Sequence, residues 1–354
     1  METGMKTLLR IVRLLFVLAL ATCGWLWHEA RTFLDSAPES PGGEMYFDVT
    51  PGARLGQVSA ALAEKSLITD ARKFSLLARY KQWENRLQAG RFVLNTGWTP
   101  EQVLDALVNG KPVLFRITVP EGLTWWQTGR LLEEAGLVRF ADFRDVITDP
   151  DFLRHYGIPF ATAEGFLMPD TYLLKKTDAP DDTQFKAQTR AVAGRMVDNF
   201  WRRTAAVWPG KVKPMTEGIK KWVILASVVE KETAIDSERP RVAGVYRNRL
   251  DRQMLLQADP TVIYGLGPAF EGNLRRKHLD DPANLYNTYQ RPGLPPGPIC
   301  SFGTAALAAA VGPENHEFLY FVAKADGGEH VFSTTLTEHN RAVRQYLQNR
   351  RGGR

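Results

Sequence analysis

The spacing of apolar residues changes several times along the chain, and each change marks an element. Leu14–Trp27 runs for fourteen residues without a charge, and Ile11 and Val12 lengthen the run across Arg13. Met45–Val49 alternates as a strand does, and Pro51-Gly52 is a turn signal. Leu55–Leu67 and Phe74–Trp83 carry helical periodicity, and Gly90–Leu94 reads as a second strand. Thr99-Pro100-Glu101-Gln102 opens a further helix: Thr99 suits the cap, Pro100 the first turn, and Gln102 lies three residues after the cap. Asn109-Gly110 closes it. Residues 45–117 therefore read as strand, helix, helix, strand, helix.

Part of this pattern returns seventy residues later. Val49, Gly52, Gln57, Leu62 and Leu67 match Val119, Gly122, Gln127, Leu132 and Leu137. Both copies read as strand, tight turn, amphipathic helix. The second copy carries Trp125 and Trp126, which suit either core packing or stacking on the apolar face of a sugar. Phe185–Trp201 is an amphipathic helix, and Arg241–Leu250 is a basic one with Val242, Val245, Tyr246 and Leu250 on one face. Tyr286–Pro298 is too rich in Pro and Gly to be regular, and such a stiff loop can present side chains at fixed positions. Phe318–Ala323 and His330–Ser333 are two strands around Asp326-Gly327-Gly328, a hairpin signal. Thr337 is placed to cap a last helix that ends near Asn349.

The stretch with the sharpest chemistry is Trp222–Ala234, an apolar run that ends in two carboxylates. On a helix, Glu232 lies over Leu225, Val228 and Val229, and Glu230 over Val223, Ala226 and Ser227. A carboxyl held against apolar side chains keeps its proton to higher pH, as a general acid requires. The plain alternative is an amphipathic helix whose charged end reaches water. The face of Glu232 is the more apolar of the two.

Composition adds bounds. The chain has 354 residues, 44% hydrophobic and 24% charged, ordinary for two or three globular domains. Of its two cysteines, Cys23 lies in the N-terminal apolar run, so no disulfide is expected within the rest. The six histidines show no close metal-ligand spacing, and no metal or cofactor is inferred. The net charge of +6 is too dispersed to argue for nucleic acid.

The N-terminal run is shorter than the roughly 20 apolar residues of a straight membrane span. A snorkelling Arg13 makes up part of the difference. Lys6, Arg10 and Arg13 precede it, so the bulk of the chain is expected outside the cytoplasm. Ala19-Leu20-Ala21 as a signal-peptidase site and Leu20–Cys23 as a lipoprotein site are the rivals to an uncleaved anchor. Ser36–Gly43 reads as a linker, and a cut at about residue 35 is expected to leave a folded domain.

Glu230-Lys231-Glu232-Thr233, Ser237-Glu238-Arg239, Asn248-Arg249-Leu250, Leu256–Gly265, Tyr286–Tyr289, Gly293–Gly297 and Leu319–Val322, with Glu164–Tyr172 upstream, together resemble the membrane-bound endolytic murein transglycosylase (YceG-like) family. Their order and spacing carry the resemblance, over roughly residues 45–347. It implies an α+β chain: a single transmembrane helix, a small LysM-like module, then a larger mixed α/β catalytic domain. The expected boundaries are 1–30 for the anchor, 31–44 for the linker, 45–117 for the module, 118–347 for the catalytic domain and 348–354 for a basic tail. It also implies a single-pass protein of the bacterial inner membrane with its catalytic domain in the periplasm. The implied partners are peptidoglycan glycan strands, that membrane and peptidoglycan synthases.

The resemblance places the catalytic acid, later the base, on Glu232, with Glu230 in reserve. Thr233, Gln257, Asp259, Thr261, Tyr264, Asn287, Thr288 and Tyr289 are the expected substrate-binding residues; for most of them loop architecture is the competing role. Asp259-Pro260-Thr261, for example, also suits a helix start. The implied reaction cuts the MurNAc-β-1,4-GlcNAc bond and leaves a 1,6-anhydroMurNAc end. Two other classes stay open: a muramidase-type hydrolase with Asp259 as second acid, and a non-catalytic scaffold that holds peptidoglycan through residues 45–117.

Overall fold

The computed structural model describes residues 2–50, 52–175, 182–324 and 329–352. The chain divides into two compact units, Met1–Phe115 with Leu173–Gln184, and Arg116–Tyr172 with Phe185–Arg354.

The first unit starts with α1 (Glu2–Leu34), followed by β1 (Glu44–Val49), α2 (Leu55–Glu64), α3 (Ala71–Tyr80), β2 (Gly90–Asn95) and α4 (Pro100–Val108). β1 and β2 pair antiparallel, from Glu44 opposite Asn95 to Val49 opposite Gly90. Alternation puts Phe47, Val49, Phe92 and Leu94 on the buried face, against Leu62, Phe74, Leu104 and Leu107 of the helices. Thr99 and Gln102 form the reciprocal cap that the sequence predicts: the Gln102 N–H donates to Thr99 Oγ1, and the Thr99 N–H donates to Gln102 Oε1.

Three expectations change here. Among the described residues no helix is long and apolar enough to cross a membrane. The uncharged run occupies less than half of α1, and the remaining turns carry Arg13, His28, Glu29 and Arg31. Nor does the folded part begin after residue 35: Phe33 is 6% exposed in the core of this unit, and Glu29 pairs with Lys73 at 2.6 Å. The segment read as a linker is tied down as well. Thr96 Oγ1 donates to Glu39 Oε2 at 2.6 Å and accepts the Gly43 N–H at 2.9 Å.

The second unit contains β3 (Phe115–Val119), α5 (Trp125–Glu134), α6 (Phe140–Thr148), α7 (Pro150–Tyr156), β4 (Asp170–Leu174), α8 (Asp182–Thr204) and α9 (Thr216–Glu232). α10 (Arg239–Asp251), α11 (Asp259–Leu266), α12 (Arg276–Leu279), α13 (Thr304–Val311), β5 (Tyr320–Ala323), β6 (His330–Ser333) and α14 (Leu336–Gly352) complete it. β3 pairs with β4, and β5 with β6. β5 and β6 run antiparallel, as a hairpin would; its Asp326–Gly328 turn lies outside the described residues, as does Pro51 of the first turn signal. Thr335 rather than Thr337 caps α14, because its Oγ1 accepts the Glu338 N–H while Glu338 accepts the Thr335 N–H.

The seventy-residue echo is a repeated local structure. Gly52 and Gly122 turn with φ of 76° and 79°. Gln57 and Gln127 each accept the backbone N–H three residues back, at 2.9 and 3.0 Å. Leu62, Leu67, Leu132 and Leu137 are all fully buried. Each copy buries two leucines behind one capped turn, which is why those positions match.

Candidate active site

α9 is the axis of the second unit. Its residues Val223–Val229 are buried, and it packs on α10, α11 and α13. The one polar residue in that run, Ser227, is fully bonded. Its hydroxyl donates to Ile224 O at 2.7 Å and accepts the Ile299 N–H at 3.0 Å, fastening the Pro-rich loop to the helix. Cys300 Sγ donates to Ser227 O from the same loop.

The two carboxylates at the end of α9 have opposite surroundings. Glu230 Oε1 meets Arg239 Nη2 at 3.1 Å, with both side chains about 95% buried, and Glu230 Oε2 accepts the Gly303 N–H at 3.1 Å just ahead of α13. Arg239 also pairs with Asp236 and, at 3.7 Å, with Glu121. A Cβ at position 303 would lie 1.9 Å from Glu121 Oε1 and would push that side chain aside. Glu230 is thus the anion of a buried ion-pair cluster.

Among the described residues no cation pairs with Glu232, the last residue of α9. The Tyr246 hydroxyl donates to its Oε1 at 2.9 Å. Burial pushes its pKa up to about 7; the Tyr246 bond pulls the other way, the Asp259 charge adds to the rise, and Arg249 opposes it least of all. The side chain keeps partial exposure, as a group that meets substrate must. Arg249 is 8% exposed, and its guanidinium donates to the carbonyls of Leu319 at 2.7 Å and Leu256 at 2.8 Å. It fixes the loop that leads into α11 and lends Glu232 only a distant charge.

α11 brings Asp259 to the same place. Asp259 does not cap this helix; Ala258 stands at the cap position, and the Asp259 carboxylate instead accepts the Tyr289 hydroxyl at 2.7 Å. Burial above all, then the Asp259 bond and the Asp259 and Glu232 charges, raise the pKa of the Tyr289 hydroxyl. Glu232, Tyr246, Asp259 and Tyr289 therefore form one linked group of two carboxyls, each with a phenol donor.

The other expected residues divide. Gln257 is exposed beside this group, in a left-handed conformation with φ of 50°, its N–H bonded to Thr288 O. Thr233 is 4% exposed and receives the Ile235 N–H on its hydroxyl, so it shapes the turn after α9 rather than a sugar contact. Thr261 and Thr288 are buried against each other at 2.8 Å, with Thr261 donating to Ala258 O and Thr288 accepting the Ala258 N–H. Asn287 is wholly buried, and its amide donates toward the carbonyls of His278, Leu279 and Asp281. These three build the loop that carries Tyr289; none has a polar atom left for substrate. The Tyr264 hydroxyl lies close to Glu164, which leaves its ring rather than its oxygen to face a ligand.

Three residues of the group or its frame escape sequence reasoning. Tyr246 reads only as part of an apolar face, and Arg249 only as a basic helix residue. Glu164 lies in a loop motif, yet it is 1% exposed and its pKa is pushed up to about 8 by burial. Just before α10, Glu238 meets His330 Nδ1 at 2.7 Å.

Residues 47–345 match the YceG-like family. The chain is 28% identical over 339 residues to the endolytic murein transglycosylase of Bacillus subtilis, an alignment covering 90% of this chain and 89% of that one. It is 25% identical over 371 residues to the protein of the same name from Streptococcus pneumoniae strain R6, covering 96% of this chain and 65% of the relative. A crystal structure of a yceG-like protein from Listeria monocytogenes aligns with a TM-score of 0.53 at 28% identity, over 84% of this chain and 99% of that one.

Proposed function

The chain belongs to the YceG-like family, and from that premise we propose that it is an endolytic murein transglycosylase, a lyase that cuts peptidoglycan glycan strands, with Glu232 as its acid and base. The observation that carries the residue assignment is the contrast at the end of α9: Glu230 is bound to Arg239, whereas Glu232 accepts a phenol hydroxyl, pairs with no cation among the described residues, and has its pKa pushed up to about 7.

A carboxyl with that pKa is populated in both protonation states near neutral pH, which suits a group that must give a proton and then take one. Glu232 donates its proton to the oxygen that leaves in the MurNAc-β-1,4-GlcNAc bond. The same carboxylate then accepts the proton of the muramic C6 hydroxyl as that oxygen attacks C1. The product has a 1,6-anhydroMurNAc end and no water is consumed. The nucleophile belongs to the substrate, so one carboxyl suffices. Tyr246 orients Glu232 and stabilises the carboxylate after the first transfer. Tyr289 holds Asp259 in place beside it, and Asp259 and Gln257 offer polar groups to the sugar.

The nearness of Asp259 to Glu232 favours one second reading, a muramidase-type hydrolase that uses both acids. Digesting uncrosslinked glycan and weighing the ends separates the two: an anhydro end is one water lighter than a reducing end. Reducing ends alone would refute the transglycosylase reading.

The finer assignments belong to the same proposal. The β1-α2-α3-β2 arrangement is the topology expected of a LysM-like module. It carries a cavity of about 840 Å³ lined by Thr50, Arg54, Gln57, Arg79 and Asn85, of a size to hold glycan. The N-terminal helix, with Leu14, Phe16, Leu20, Trp25 and Trp27 all more than half exposed, would attach the chain to the bacterial inner membrane with the remainder in the periplasm. Held there, the enzyme would act on nascent strands, end their elongation and work beside peptidoglycan synthases. Fractionation with protease accessibility tests the placement; protection of the second unit inside intact spheroplasts would count against it.

A further inference from the structure

Glu164 is a buried carboxyl that the chemistry above does not use. Its Oε2 accepts the Trp125 N–H at 2.9 Å, its Oε1 accepts the Gly165 N–H at 3.3 Å, and the Tyr264 hydroxyl lies close to it. Burying an acid opposes folding unless its oxygens are well bonded. Here the Trp125 bond holds the first turn of α5, and Tyr264 brings α11, far away in sequence, up to the same carboxyl.

Beside it three rings pack in succession, their planes tilted by 33° between Trp126 and Tyr264 and by 54° between Tyr264 and Tyr286. Trp126 lies 4.9 Å from Tyr264, and Tyr264 lies 4.8 Å from Tyr286. All three rings are partly exposed. Trp125, by contrast, stacks on Phe140 at 5.7 Å and 17° between planes, so of the adjacent pair Trp126 is the one in the row of rings. Tyr264 follows Asp259 by five residues on α11, about 7.5 Å along the helix at 1.5 Å per residue. The row thus starts on the helix that also brings Asp259 to Glu232.

Rings that serve packing alone need no buried acid to align them. Rings that must meet a flat apolar face at a set place do, because each degree of freedom fixed beforehand is not lost on binding. We propose that Trp126, Tyr264 and Tyr286, aligned by Glu164, form a sugar-stacking subsite that grips the glycan strand beyond the bond cut by Glu232. The proposal rests on the glycan-cleaving reading for its ligand. Pyranose rings present C–H faces that suit aromatic surfaces. Glu164 is a positioning residue that acts through Tyr264 and Trp125.

The test uses full-length Glu232→Gln labelled with fluorotryptophan, with the Trp126 resonance assigned from the spectrum of the Trp126→Phe variant. Uncrosslinked glycan strands are titrated in. The Trp126 signal is expected to shift and saturate. In the active protein, Trp126→Ala is expected to raise KM about tenfold, a change of 1.4 kcal/mol, with kcat nearly kept and anhydro ends unchanged. A Trp126 signal that stays still while strands saturate the protein overturns the subsite. If Trp126→Ala fails to fold, the fluorine titration decides by itself. Full cleavage by Glu232→Gln would instead refute the catalytic assignment, and the titration would still report on the subsite.

Discussion

The hydroxyl of Tyr246 sits 2.9 Å from Glu232 Oε1, donating from the middle of α10 to the last residue of α9. This bond works against the desolvation of the carboxyl. Burial raises the Glu232 pKa and the phenol lowers it, with the balance near 7. An acid with that balance loses its proton as pH rises through 7, so kcat/KM should fall above about 7. Tyr246→Phe removes the lowering contribution and should move the falling limb up by about one unit. A pH profile of both enzymes checks this; an unmoved limb would mean that another group sets it.

Glu230 and Glu232 should separate stability from activity. Glu232→Gln is expected to remove cleavage by about 10²- to 10⁴-fold, the usual range for a general acid, with melting nearly unchanged. Glu230→Gln leaves Arg239 buried with weaker partners, and should destabilise the protein by about 3 kcal/mol while the surviving folded enzyme stays active. Melting curves alongside turnover of both variants test the pair. The reverse ranking in activity would move the catalytic role to Glu230.

Glu164 predicts a pH dependence of stability. Its folded pKa is raised to about 8, whereas the unfolded carboxyl titrates near its ordinary value. The folded state then holds a proton that the unfolded state has lost. Its contribution is complete below the unfolded pKa and is lost as pH rises through about 8. Glu164→Gln should flatten this slope, and at pH 8 should be the more stable protein by up to a few kcal/mol. Denaturant melts from pH 5 to 8 would show it; parallel slopes for the two proteins would refute it.

Phe33 sets where the chain can be cut. A soluble fragment starting near His28 keeps Phe33 in the first unit and the Glu29–Lys73 pair. A fragment starting at Ser36 loses both, and burial of one Phe alone is worth about 2 kcal/mol. The shorter fragment should melt lower; equal melting temperatures would show that Phe33 adds nothing.

Much of this protein was legible along the chain, because local rules decide it. Thr99 with Gln102 caps a helix by spacing alone, the strands at Met45–Val49 and Gly90–Leu94 follow from alternation, and the repeat around Gly52 and Gly122 is a local turn. Glu232 stood out because helical periodicity laid it over Val228 and Val229. Tertiary structure decided what periodicity cannot see, namely which distant group each polar atom meets. Arg239, nine residues after Glu230, folds back and takes that carboxylate. Tyr246 comes to Glu232 from the next helix, and Glu164 reaches α11 from a loop. Asn287, Thr261 and Thr288 carry the right chemistry for sugar contacts, yet the packed loop left their donors no direction but inward. Hydrogen bonds are short and directional, so residue type alone states what a side chain can bond, and only the fold states what lies within reach.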